Sequence, residues 1–186
     1  MSWNLREAVV TYRKGVRVST ERALRSSRDI ASLVQSAPEG TDLALLTCSA
    51  AERFVVVGLD AKNRVIAYHT VGIGGGASVA VDLPAVFRFL IAACALRFVV
   101  LHNHPSGEVT PSSEDIALTE RLQRAGELLG LQLLDHLIVT DTADYFSFLD
   151  AGMLTRRLFL IPRCRDAHSD VTPRGVSDST TLSLRA

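Results

Sequence analysis

The sequence predicts a mixed α/β domain, a β-sheet with helices packed against it. Three observations lead there. Apolar runs of strand length follow Arg53, Arg64, Arg97 and Gly130. Two stretches of helical character, after Pro84 and after Ser112, lie between them. The two kinds alternate without a strict β-α-β repeat, which favours a mixed sheet. At 186 residues the chain has the size of one domain with modest extensions, long enough to bury a core.

Along the chain, Glu7 to Val18 carries short apolar pieces around the basic Tyr12-Arg13-Lys14. Ser26 to Val34 reads as a short helix, stopped by Pro38-Glu39-Gly40. After Arg53 the run FVVVGLD, the turn-like Ala61-Lys62-Asn63 and the run RVIAYHTV form a β-hairpin pattern, which Gly72 to Ala77 interrupts. Pro84 suits a first helical turn, and Ala85 to Ala95 is nearly all apolar but too short to span a membrane, so a buried helix is expected. Arg97 to Leu101 reads as a buried strand, running into His102-Asn103-His104-Pro105-Ser106-Gly107, where Pro and Gly force a loop. Ser112 stands as an N-cap with Asp115 three residues on. Ile116, Leu118, Leu122, Ala125, Leu128 and Leu129 then form an apolar stripe, and Gly130 closes the helix. Leu131 to Val139 and Tyr145 to Leu149 read as two further strands. From about Arg163 core-forming residues become scarce, as in a tail. The expected organisation is an N-terminal extension over 1–50 packing on a domain over 51–155, with a flexible tail over 156–186.

The chain carries 20 Lys and Arg against 20 Asp and Glu, which argues against a dedicated nucleic-acid-binding protein. That balance averages unlike parts: seven basic and two acidic residues over Met1–Arg28, seven and fifteen over Asp29–Thr155, six and three over Arg156–Ala186. The basic ends are read as solvated flanks. Cys48, Cys94 and Cys164 are far apart, with no C-x-x-C, so neither a disulfide framework nor a cysteine-based zinc site is signalled. No secretory leader pattern and no apolar run of membrane-spanning length is found, and a cytoplasmic protein without membrane association is expected.

The chemistry concentrates after the strand that starts at Arg97. In an extended strand end, residues two apart face the same way, so His102 and His104 can converge on one ion while Asn103 points elsewhere. The loop at Pro105 and Gly107 turns the chain back, and Asp115, in the first turn of the next helix, can return a carboxylate to the same point. Two imidazoles and one carboxylate leave a fourth zinc position open, as in catalytic rather than structural sites. A hydrolytic zinc site also uses a carboxylate that is not a ligand, and Glu52, heading the FVVVGLD strand, is the candidate. Ser112 could cap the helix through its oxygen while its hydrogen faces an oxyanion, a contribution of about 3 kcal/mol in comparable sites.

The pattern H-x-H-P-x6-S-x-x-D with an upstream Glu resembles the JAMM (MPN+) metalloprotease signature. The longer string LHNHPSGEVTPSSEDIALTERL, followed by LLDHLIV, resembles the bacterial RadC (JAB-type) family, from about Glu52 to Leu154. The E-x-F-x-V-x-x-L-D pattern of that family is met by Glu52, Phe54, Val56, Leu59 and Asp60. The resemblance implies a JAMM/MPN fold similar to cytidine deaminases, Zn2+ at His102, His104 and Asp115, acid/base work by Glu52 and a supporting role for Ser112. It implies a zinc metallohydrolase cleaving a peptide, isopeptide or related amide bond in a peptide or protein-conjugate substrate. Deamination is disfavoured, because the H-x-E with P-C-x-x-C pattern is missing. The alternative is a binding module of DNA repair or mobile elements with a structural or vestigial metal site, for which the basic first 28 residues would be the nucleic-acid contact. Two features depart from the family: the residues before Glu52 are too few for a helix-hairpin-helix region plus linker, and Leu83-Pro84-Ala85-Val86-Phe87 lacks the Arg and Glu of the family's P-R-E-V-F.

Asp135 and His136 are strand neighbours and so face opposite ways. Asp135 could accept a ligand histidine's free N–H, although a structural role weighs more. His69 and His168 lack ligand-like partners. Gly72 to Gly76 reads as a loop rimming the site rather than a phosphate loop, since no G-K-[ST] follows.

Overall fold

Residues 23–74, 81–142 and 144–154 are described in a computed structural model of the chain. Most of the basic segment Met1–Arg28, the end of the glycine loop, the tail after Leu154, Cys164 and His168 lie outside the described residues. The elements are α1 (Ser27–Gln35), α2 (Asp42–Leu45), β1 (Glu52–Leu59), β2 (Val65–Gly74), α3 (Leu83–Ala92), β3 (Arg97–Asn103), α4 (Ser113–Leu129), β4 (Gln132–Val139) and β5 (Tyr145–Ser147). The five strands form one sheet in the order β2-β1-β3-β4-β5. Only the β3–β4 pair is parallel, joined by the crossover helix α4, so the sheet is mixed and helix-flanked as the sequence predicts.

The central strands are apolar on both sides, and the alternation of side chains sorts them into two cores. Val55, Val57, Leu59, Val99, Leu101 and Leu137 face α1 and α2, meeting Ile30, Leu33, Val34, Leu43 and Leu46. Phe54, Val56, Phe98, Val100 and Ile138 face the other way, against Val86, Phe87 and Leu90 of α3 and Leu122 of α4. Helix α4 starts at a capping box between Ser112 and Asp115 and ends at Gly130, whose φ of 72° fits glycine without strain.

Several boundaries differ from expectation for identifiable reasons. The helix expected to reach Ala95 stops at Ala92, because Cys94 takes a left-handed backbone (φ 52°) that turns the chain into β3. Strand β2 continues to Gly74, past the expected break at Gly72, with a bulge where β1 shifts its pairing between Phe54/Gly72 and Val55/Thr70. Strand β5 ends at Ser147, since Phe148 to Gly152 turn back with Ala151 N–H bonded to the Ser147 carbonyl. The four-residue helix α2 was not foreseen.

Candidate metal centre

The site forms where β1 begins and β3 ends, on the α4 face of the sheet. Strand β3 places His102 on that face, opposite Phe54 of β1. Continuing that antiparallel register by two residues sets Glu52 across from His104, on the face shared by Phe54 and His102. The N-terminus of α4 then delivers Asp115. One ligand atom from each of Glu52, His102, His104 and Asp115 lies within 4.8 Å of the others. The residues singled out from the sequence are thus brought together.

The separations suit a metal ion. His102 Nε2 and His104 Nε2 are 3.0 Å apart, His102 Nε2 lies 3.2 Å from Asp115 Oδ1, and His104 Nε2 lies 3.5 Å from Asp115 Oδ2. Ligands at about 2.0–2.1 Å from a tetrahedral ion stand roughly 3.3 Å from one another. Hydrogen-bond directions point the same way. His104 Nδ1 is 2.7 Å from the Glu108 carbonyl, which only accepts, so Nδ1 carries a hydrogen and the lone pair of the neutral ring is on Nε2. That lone pair faces His102 Nε2 and Asp115, a position that a cation would fill.

Behind the candidate ligands lies a shell of supporting groups. The ring of His102, fully buried, stacks on Phe54 at 5.9 Å, and its Nδ1 meets His136 Nε2 at 2.7 Å. His136 stacks on Phe148 at 4.7 Å and reaches Thr119 Oγ1 through Nδ1 at 2.6 Å. Burial pushes the His136 imidazole well below its ordinary range, so His136 is neutral. Burial works to raise the Asp115 carboxyl, but positive charge on its His102 Nε2 side, from a proton there or from a bound cation, and two bonds from Ser112 prevail and hold it well below the usual carboxylate range.

Ser112 caps α4 by accepting from Asp115 N–H at 3.1 Å. Its hydroxyl hydrogen is directed onto Asp115 Oδ2 at 2.7 Å, and its own N–H donates to the same oxygen at 2.8 Å. The hydrogen expected to face an oxyanion is therefore used to hold Asp115. Asn103, on the opposite face, clamps the entry to β1: its Oδ1 accepts from Arg53 N–H at 2.8 Å, and its Nδ2 donates to the Ser49 and Ala51 carbonyls. Glu52 sits inside that clamp.

Asp135 does not support a ligand histidine. It accepts from Ser147 Oγ, Leu149 N–H and His136 N–H, and so fixes the turn after β5. Sequence reasoning missed the part played by His136, Thr119, Asn103 and Phe54. For Thr119 a signal existed: it follows Asp115 by four residues and so shares its helix face.

The fold and the donor set together define the class, a mixed α/β domain of JAB type with a His-His-Asp-Glu cluster that could bind a metal ion. The model of the RadC-like JAB domain matches residues 24–153, and the chain belongs to that family. It is similar to a UPF0758 protein of Bacillus pumilus, 42% identical over 131 residues, covering 70% of this chain and 54% of the relative. It is also similar to one of Bacillus licheniformis, 48% identical over 103 residues (55% and 46% covered), and one of Staphylococcus haemolyticus, 46% over 106 residues (57% and 46%). The chain spans about half the length of these relatives. Among the described residues, no helix is long and apolar enough to cross a membrane.

Proposed function

We propose that this chain is a zinc-dependent hydrolase of the JAMM type, cleaving a peptide, isopeptide or related amide bond. The observation that carries the reading is the pair of imidazole Nε2 atoms 3.0 Å apart, with Asp115 Oδ1 3.2 Å from His102. His102, His104 and Asp115 would hold the ion. Zinc bound there supplies a Lewis acid that polarises a carbonyl and brings the pKa of a water down to about 7.

The chain's own groups do the rest. Glu52, held at the rim by the Asn103 clamp, takes the proton of the attacking water and returns it to the departing amine. Ser112 keeps Asp115 in place, and serving an oxyanion would require it to give up its bond to Asp115 Oδ2. The substrate class is a peptide or protein conjugate. The nucleic-acid alternative depends on Met1–Arg28, most of which lies outside the described residues.

The test is a hydrolysis screen of the full chain against ubiquitin-like conjugates and small amides, with zinc supplied. Wild type should cleave at least one amide, while Glu52→Gln should keep zinc and lose at least ~100-fold in rate. Full activity of Glu52→Gln would overturn the role of Glu52. No cleavage by a zinc-loaded wild type would overturn the hydrolase reading.

A further inference from the structure

The donor set leaves two buried polar side chains without a task, His136 of β4 and Thr119 of α4, 0% and 2% exposed. Together they make a hydrogen-bonded chain with only one possible direction. It ends at the backbone carbonyl of Asp115, which can only accept, and Thr119 Oγ1 donates to it at 2.6 Å. That donation uses the single hydroxyl hydrogen. His136 Nδ1, 2.6 Å from the same hydroxyl oxygen, must therefore bring its own hydrogen. A neutral imidazole has one N–H, so His136 Nε2 holds a lone pair and accepts, at 2.7 Å, from His102 Nδ1–H. With Nδ1 committed in this way, the lone pair of a neutral His102 is on Nε2, which faces His104 and Asp115. Reversing any link would set two lone pairs or two hydrogens against each other inside the core.

We propose that Thr119 and His136 are positioning residues that lock His102 into the one tautomer able to ligate a divalent cation. This rests on the metal reading of the site. His104 reaches the same state more simply, through the Glu108 carbonyl. Both candidate imidazole ligands are thus oriented by a backbone carbonyl, one directly and one through two side chains. Supporting partners of ligand histidines fix the ring and raise its basicity, and losing them weakens metal binding by roughly 10–100-fold.

Thr119→Val, a change of similar shape, removes the end of the chain and lets His136 adopt either tautomer. If His136 turns to Nε2–H, His102 must accept at Nδ1 and carry its hydrogen on Nε2, where it blocks the site. Thr119→Ser keeps the hydroxyl. Histidine tautomers are read by nitrogen–proton correlation NMR on the full chain without metal, and zinc affinity by competition with a chromophoric chelator. In wild type and Thr119→Ser, His102 should carry its hydrogen on Nδ1. In Thr119→Val it should show a mixture, with zinc affinity lower by about 10–100-fold, against less than ~3-fold for Thr119→Ser. A wild-type His102 without a hydrogen on Nδ1, or wild-type zinc affinity in Thr119→Val, would overturn the proposal. Should wild type bind no zinc, the metal reading fails, and the tautomer spectrum still decides whether the chain runs in this direction. If Thr119→Val does not fold, the wild-type spectrum gives the same decision.

Discussion

Replacing Asn103 by alanine should separate the placement of Glu52 from the binding of metal. Asn103 is 2% exposed and makes three hydrogen bonds, accepting from Arg53 N–H at 2.8 Å and donating to the Ser49 and Ala51 carbonyls at 3.3 and 3.2 Å. Losing the first leaves a partly buried N–H without its partner, at a cost of about 1–3 kcal/mol, and each of the two longer bonds contributes about 0.5–1 kcal/mol. The sum is roughly 2–5 kcal/mol, a large share of the 5–15 kcal/mol typical of a domain, and readily seen as a lower urea midpoint. The entry to β1 is then no longer tied to β3, and Glu52 loses its fixed position. A displacement of about 1 Å in a catalytic group can cost up to ~100-fold in rate, so hydrolysis should fall by at least 10-fold. The zinc ligands lie on the other face of β3, and zinc affinity should change by less than ~3-fold. A stability loss under ~1 kcal/mol, or loss of zinc in step with activity, would refute this division of labour.

Two other substitutions have distinct signatures. Ser112→Ala removes the α4 cap and the hydroxyl bond to Asp115; it should cost about 1 kcal/mol of stability and weaken zinc binding by roughly 10-fold. Slower hydrolysis with zinc affinity untouched would instead put the hydroxyl on the substrate. Burial pushes the Asp135 carboxyl up to about 6. Its neutral form is therefore favoured in the fold, and the stability this contributes is complete below an unfolded value of about 4 and lost as pH rises through about 6. The stability of wild type relative to Asp135→Asn should accordingly fall by up to ~3 kcal/mol between pH 4 and pH 7 in urea titrations. A difference that does not vary with pH would contradict the raised carboxyl.

The strands, the α4 helix and three of the four convergent side chains were legible from local periodicity, while Glu52 was marked by the need for a further carboxylate and by the family resemblance. His102 and His104 share a face by strand alternation, Asp115 follows from the capping box, and Glu52 leads the strand antiparallel to β3. What supports them was not legible, because it depends on register between distant segments. The β3–β4 pairing shifts between Phe98/Leu133 and Val99/Asp135, leaving Leu134 as an extra residue. That bulge reverses the alternation, so that Asp135 turns with Val99 toward α1 and His136 turns with Val100 toward α4. A strict count of alternate residues from Leu133 would assign them the other way. The Asn103 clamp likewise joins residues about fifty positions apart, which no local pattern encodes. The helix α2 is a single turn, too short to carry a periodic signal.

The most direct measurement is the zinc content and affinity of the purified full chain at neutral pH, in wild type, Glu52→Gln and His104→Ala. About one tightly held zinc per chain should be found in wild type and in Glu52→Gln, with affinity largely lost in His104→Ala. A wild-type chain that takes up no zinc, or a His104→Ala chain that holds it as tightly as wild type, would contradict the assignment of His102, His104 and Asp115 as a metal centre.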